Sequence, residues 1–498
     1  MTYDTIIIGA GIGGLAASLK LSSQGKSVLL LEKNASSGGY AMGFQRKGFK
    51  FESAIHCVDA LGKNQELREF LEEYNLNQKL KFIDLPNFVR LIYPEDDLIL
   101  AADKEKFIAL LKEKFPAESK NIARLFSSID KFYRQFDHFS ESNIPLWLKL
   151  LLSPFIYSKI IQTSRFSCRE FFNAYIKDER LLGLLTSIWG FFGLSPKHLS
   201  SLYFLIPYRG YHFYPTAYIE AGFSRLFQAI LEKIKENGAE VKFNTLVKEI
   251  IIEKGRIKGV VTSNNEKFFA QTVIANANPL DVLGGMLSDE KLKEAYLKKL
   301  NSLEKSLSAI QVYLGLNLST KDLGLNHYLV MIYLSYNHEE NFQYILSADY
   351  EHAPLELVDH SYIDPTLAPE GKSTLTIFTL DKYQNWINLT ELEYKKKKEA
   401  IAQILIQRVE KYLPGLKKHI EVVEVASPYT MYKYTFSAEG AIYGFTQTLN
   451  QSGLLRLGQE TKIKGLFLAG AWTQPGAGVH ACFLSGFNAA DLVLDFLK

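Results

Sequence analysis

Cysteine is scarce in this chain. Cys57, Cys168 and Cys482 are the only three in 498 residues, and they stand far apart. Such a set builds neither a disulfide framework nor a spaced zinc site, so no metal is expected and a reducing, cytoplasmic setting is the simplest reading. A dominant charge sign is also missing. Lys and Arg number 57 against 54 Asp and Glu, a net +3 that provides no groove for nucleic acid. The chain opens Met1-Thr2-Tyr3-Asp4 and enters an apolar strand at once, with no basic leader, so no signal peptide is expected. No run of about 18 apolar residues occurs, so no membrane-crossing helix is expected. Internal repeats and low-complexity linkers are absent as well. What remains is a globular composition, 47% hydrophobic and 22% charged, in a chain too long for one core. Two or three domains are expected.

The first thirty residues carry the clearest chemistry. Residues 5–8 are a short β-branched run, followed by Gly9-Ala10-Gly11-Ile12-Gly13-Gly14 and an apolar helix that Gly25 ends. Gly9 permits a tight turn, Gly11 lets backbone approach a pyrophosphate, and Gly14 lets the helix pack on the strand. The helix N-terminus then offers free N–H groups and a positive dipole end to phosphate. Residues 27–31 form a second strand closed by Glu32, about 20 residues after the central glycine. A carboxylate there accepts hydrogen bonds from ribose hydroxyls and repels a 2′-phosphate. A glycine pair, Gly38-Gly39, follows Glu32-Lys33. It resembles the extended signature of glutathione-reductase-like flavoproteins, with which amine oxidases and carotenoid desaturases wrap FAD. Plain NAD dehydrogenases lack it.

Later segments agree. Residues 241–252 read as paired strands after a helix over 224–237, and residues 272–277 as a buried strand ending in small residues. Residues 465–470 form another short strand, then Ala471-Trp472-Thr473-Gln474-Pro475-Gly476-Ala477-Gly478-Val479-His480, then a helix over 485–497. Further marks are Phe51-Glu52-Ser53-Ala54-Ile55-His56, Tyr214-Pro215 with Ala221-Gly222, residues 364–371 (DPTLAPEG), and Tyr434 followed by Gly440-Ala441-Ile442-Tyr443-Gly444. Together they cover nearly the whole chain. They resemble the phytoene-desaturase-like family, which includes carotenoid isomerases and retinol saturases.

The resemblance implies an α/β architecture: a discontinuous glutathione-reductase-type FAD-binding Rossmann domain from residues 1–60, 211–285 and 440–498. A mainly helical, membrane-associating region (61–210) and a mixed-sheet substrate domain (286–439) complete it. It implies non-covalent FAD held by Gly9, Gly11, Gly13, Gly14, Glu32, Lys33, Gly38, Gly39, Val247, Gly470, Ala471, Gly478 and Val479. Ala471 stands where many FAD proteins have an acid. The implied chemistry is desaturation, saturation or cis–trans isomerisation of a polyene or isoprenoid lipid, which the cofactor carries and the protein positions. His56 is the first catalytic candidate, as an imidazole able to move a proton. His480 in the C-terminal loop and Tyr443 beside the channel are the others. Glu52 is expected to bond backbone rather than do chemistry. Cys482 follows the flavin loop, but the family binds FAD without a thioether. No second nicotinamide fingerprint appears, so a quinone, oxygen or a partner reductase is the expected electron donor or acceptor. An amine-oxidase-like enzyme and a non-enzymatic prenyl carrier of the same fold are the competing readings.

Residues 146–161 (LWLKLLLSPFIYSKII) stand apart, apolar except for Lys149 and Lys159 and broken by Pro154. A helix that apolar is either buried or lies on a membrane surface. Residues 391–413 read as a charged amphipathic helix whose Lys395–Lys398 run is a solvated face.

Overall fold

The computed structural model describes residues 2–142 and 144–498. Strand Thr2–Ile8 is central in a seven-stranded sheet. It runs parallel to Val28–Leu31 on one side and Lys267–Ala275 on the other. Ile6, Ile7 and Ile8 are buried on both faces, as an inner parallel strand requires. Glu240–Lys242 extends one edge. The hairpin Val247–Glu253 and Arg256–Thr262 extends the other, pairing with the first half of Lys267–Ala275. Its second half, Val273–Ala275, takes Leu466–Leu468 in parallel, so the end of the chain completes the sheet that the beginning started.

Helix Ile12–Ser23 lies against helix Val479–Phe496. Their closest approach is through glycine: a Cβ on Gly486 would sit 2.1 Å from the Gly13 carbonyl oxygen and 2.9 Å from Ala16 Cβ. The second helix starts at Val479, six residues before the sequence expectation. Gly478, at φ +106°, is the break, and nothing in residues 479–484 stops a helix once the chain has passed it.

A second seven-stranded sheet has the order Ile420–Ala426, Ser308–Leu316, Ser373–Asp381, Leu355–Val358, Leu329–Ile332, Asn87–Ile92, Asp97–Ala101. The two longest strands are buried throughout. Ile310, Val312, Leu314, Leu375 and Ile377 pack under helix Glu391–Val409. Gln311 and Phe378 face the other way, into the cavity described below. Asn87–Ile92 and Asp97–Ala101 come from the stretch read as mainly helical. Asn87–Ile92 joins the sheet in parallel with Leu329–Ile332, more than 200 residues away, and no local pattern marks such a partner.

The helical layer includes Ser119–Glu141, Leu146–Ile156, Ser158–Ser164 and Ser201–His212. Residues 146–161 are not a buried helix. Trp147 is 68% exposed, Leu151 64% and Phe155 83%. Lys149 turns inward to donate to the Phe139 carbonyl at 2.5 Å, and Lys159 bonds Gln162 and Tyr175. Both cations are thus withdrawn from an apolar outer face. Among the described residues, no helix is long and apolar enough to cross a membrane.

Candidate functional site

A long cleft runs from the end of Val28–Leu31 to the second sheet. It is lined by Gly9, Gly11, Gly13, Glu32, Lys33, Gly38, Gly39, Val247, Ala471, Gly478 and Val479, and by His56 and Tyr443. These residues lie at sequence positions from 9 to 479, and the parallel sheet brings them to one edge.

The narrow floor is made of glycine. A Cβ on Gly11 would meet Asn276 Nδ2 at 2.8 Å, and one on Gly13 would meet Asn276 Oδ1 at 2.9 Å. Gly14 and Gly470 act from behind the wall. A Cβ on Gly14 would sit 2.0 Å from the Gly9 carbonyl oxygen, and one on Gly470 2.3 Å from Asn276 Oδ1. Asn276 therefore sits at the centre of the fingerprint, with Nδ2 donating to the Gly9 carbonyl at 3.3 Å. The sequence reading passed over it as one of a run of small residues. The signal was there, a polar amide directly after the buried strand Lys267–Ala275.

At one end, Glu32 Oε2 accepts from the Ala10 N–H at 2.7 Å and Oε1 from the Asn34 N–H at 2.8 Å. The carboxylate is locked in place with lone pairs to spare for sugar hydroxyls. Gly38 donates its N–H to the Ala10 carbonyl and bridges Gly11, so the glycine pair folds onto the fingerprint loop. Lys33 donates to the Tyr434 carbonyl at 2.6 Å and lies 4.0 Å from the centre of the Phe436 ring. Burial lowers its ammonium, and the Glu32 charge offsets part of that. Val247, Met286 and Asp281 close this end.

The other end is a chamber walled by Ile55, Phe191, Tyr211, Phe378, Ile442 and Tyr443. His56 stands in it, its ring edge-on to Phe191 and Phe378. Nδ1 lies 3.0 Å from Glu356 Oε2, while Nε2 is buried with no partner among the described residues. Sequence reasoning missed Glu356. It sits in the alternating strand Leu355–Val358 on the face that looks solvated in the sequence, and the helical layer buries that face. Tyr443 donates to the Gly190 carbonyl at 3.1 Å, so its hydroxyl is already committed, and burial pushes the phenol well up.

His480 lies outside the wall. Its Nε2 is 3.1 Å from Glu66 Oε2. Burial favours the neutral ring, but the Glu66 bond and the Asp59 and Glu66 charges outweigh it and raise the imidazole. Cys482 lines the cleft, and burial pushes its thiol up to about 12, so it rests as a thiol rather than a nucleophile.

Glu52 does bond backbone. Its Oε1 accepts from the Phe223 N–H and the Tyr218 hydroxyl, each at 2.8 Å. Burial raises its carboxyl to about 7 despite those two bonds. The folded state therefore favours the protonated acid: that contribution is full below the ordinary carboxyl range and is lost as pH rises through about 7. Glu52→Gln is expected to raise the melting temperature by a few degrees at about pH 8 and by nothing at about pH 5, in thermal melts across that range. Equal shifts at both ends would refute the assignment.

Residues 12–494 match the family model of flavin-containing amine oxidoreductases. The chain belongs to that family. It is 28% identical over 505 residues to prolycopene isomerase 1 of an Oncidium hybrid, covering 99% of this chain and 84% of that one. It is 26% identical to the all-trans-retinol 13,14-reductase of Danio rerio, covering 94% and 82%. An oxidoreductase from Methanosarcina mazei shares the fold, with a TM-score of 0.65 at 18% identity, over 98% of this chain and 99% of that one. This flavoprotein is an FAD-dependent oxidoreductase. Its cleft fits the cofactor: side-chain-free floor, carboxylate at one end, enclosed aromatic chamber at the other.

Proposed function

We propose that the protein acts on carbon–carbon bonds of a polyene or isoprenoid lipid, such as a carotenoid or retinoid. The observation that carries this reading is the chamber: apolar, aromatic-walled, and bordered by His56. An apolar chain gains roughly 25 cal/mol for each Å2 it buries there. The names of the similar proteins, an isomerase and a reductase of such lipids, support the same class.

Gly9, Gly11, Gly13, Gly38 and Gly39 hold the pyrophosphate, with Gly14 and Gly470 packing behind them. Glu32 takes the ribose, Lys33 and Val247 the adenosine end, and Ala471, Gly478 and Val479 border the ring. Bound FAD supplies hydride exchange at carbon. His56 Nε2 holds or delivers the proton that a carbon of the polyene needs, and Glu356 keeps the imidazole turned into the chamber. Tyr443 shapes the wall. His480, paired with Glu66 beyond it, steadies the start of the helix Val479–Phe496.

An anaerobic assay tests this reading. The flavin is reduced with dithionite, mixed cis and all-trans carotenoids and retinol are added, and products are identified by mass. Loss of double bonds with one flavin oxidised per product marks a saturase. Rearranged isomers of unchanged mass, with the flavin still reduced, mark an isomerase. New double bonds made only by oxidised flavin with an acceptor mark a desaturase. Flavin-loaded protein that alters none of these lipids in either redox state sinks the proposal.

The substrate reaches the chamber from a membrane surface. Trp147, Leu151 and Phe155 project from the helical layer, and Leu454 and Leu455 are exposed beside Leu202, where Gly453 packs. Helix Ser158–Ser164 links this face to Ser201–His212, which carries the chamber residue Tyr211. Each large side chain buried in lipid contributes about 2 kcal/mol. The protein is expected to float with phospholipid vesicles, and the Trp147→Ser/Phe155→Ser double variant to lose at least about tenfold in partitioning at unchanged flavin content. Identical flotation of both proteins would rule out this face.

A further inference from the structure

Arg456 is a buried cation with no anion. Its Nη2 donates to the carbonyls of Ala471 at 2.6 Å and Tyr443 at 3.4 Å, and its Nε to Thr473 at 2.9 Å. Nη1 donates to Phe445 at 2.9 Å and Thr446 at 3.4 Å. No carboxylate acts on it among the described residues, and its titratable neighbours are Tyr203 and Cys482. The side chain is 4% exposed. Burial lowers the guanidinium to about 10, which leaves it charged at neutral pH. A buried charge is costly unless something uses it, and carbonyl dipoles solvate it only in part.

Its position supplies the use. Ala471 and Tyr443 line the cleft, so the guanidinium lies one peptide behind the wall. Glu32, Lys33 and Val247 mark the nucleotide end, and the redox ring has only the opposite end to occupy. Of the carboxylates on that side, Glu356 faces His56, and Glu66 and Asp59 both act on His480. None of them pairs with Arg456 among the described residues.

We propose that Arg456 is a fixed positive charge behind the isoalloxazine end of the cleft, and that it sets the potential of the bound flavin by favouring the anionic reduced form. Bound FAD takes up two electrons and one proton to become FADH−, which carries one more negative charge than the oxidised form. In a site poor in water, a nearby cation stabilises that extra charge. The positive end of helix Val479–Phe496 adds to the effect but is unchanged by substitution at position 456. The inference rests on FAD binding and not on the identity of the lipid.

The test is a dithionite and dye-coupled redox titration of wild type, Arg456→Met and Arg456→Lys, each first matched for FAD content. Arg456→Met is expected to lower the reduced-to-oxidised ratio at fixed potential at least tenfold, about 30 mV for a two-electron couple. Arg456→Lys keeps the charge with fewer carbonyl bonds and is expected to stay within about twofold of wild type. Met and Lys variants that shift alike, or a Met variant that does not shift, overturn the proposal. If Arg456→Met does not retain FAD, the wild-type spectrum decides. Reduced flavin free in water is mostly neutral at about pH 6. The bound reduced flavin is expected to be the anion there, and a neutral spectrum overturns the proposal.

Discussion

Gly14→Ala is expected to yield protein that purifies without yellow colour and gains none from added FAD. A Cβ at this position falls 2.0 Å from the Gly9 carbonyl oxygen, inside any non-bonded contact, and 3.2 Å from Asn276 Nδ2. Relief requires the helix Ile12–Ser23 to lift off the strand Thr2–Ile8. That lift carries the phosphate-facing N–H groups away from the cleft and breaks the register of Gly11 with Gly38. Binding geometry is sensitive to displacements of about 1 Å, so a loss of at least about a hundredfold in FAD affinity is expected by fluorescence titration. Gly458→Ala is the control. Its Cβ meets nothing within 4 Å, and its FAD affinity is expected to match wild type. A yellow Gly14→Ala protein with native affinity would show that the fingerprint does not hold the cofactor.

His56→Phe carries the second large effect. It keeps the ring volume between Phe191 and Phe378 but removes the unpartnered ring nitrogen. Turnover of the polyene is expected to fall by about 10² to 10⁴, the usual span for a lost proton-transfer group, with flavin content and KM little changed. Glu356→Gln removes the partner 3.0 Å from Nδ1 and is expected to cost about tenfold in kcat. The double variant decides between a shared role and two separate ones. If Glu356 acts through His56, the pair is no slower than His56→Phe alone; multiplied losses would show that Glu356 supports the fold independently.

These two predictions mark how far the sequence was legible. That the fingerprint glycines, Glu32 and Gly38-Gly39 share one cleft was legible, because the strand–loop–helix pattern fixes their spacing. That His56 borders the same cleft was legible because a recognisable segment carries it. Glu356 could not. Its strand has the ordinary alternation of a half-solvated sheet, and only the helical layer, folded from another part of the chain, turns that face inward. Arg456 was hidden for a similar reason. An arginine in a loop reads as solvated until Tyr443, Phe445, Ala471 and Thr473 are seen to converge on it. His480 was less legible. Its place beside Gly478 and Val479 suggested the ring; a helix begins at Val479, and the imidazole Nε2 lies 3.1 Å from Glu66 Oε2.

Leu466–Leu468 closes onto Val273–Ala275, and Val479–Phe496 closes onto Ile12–Ser23. On the ribosome the two helices are separated by almost the whole chain, and the two strands by about 190 residues. At ordinary elongation rates, roughly 20 to 90 s pass between the synthesis of Ser23 and that of Val479. During that wait the nascent nucleotide domain has an unpaired strand edge and an uncovered glycine-rich helix. The cofactor site is therefore complete only once the C-terminal strand and helix have been made.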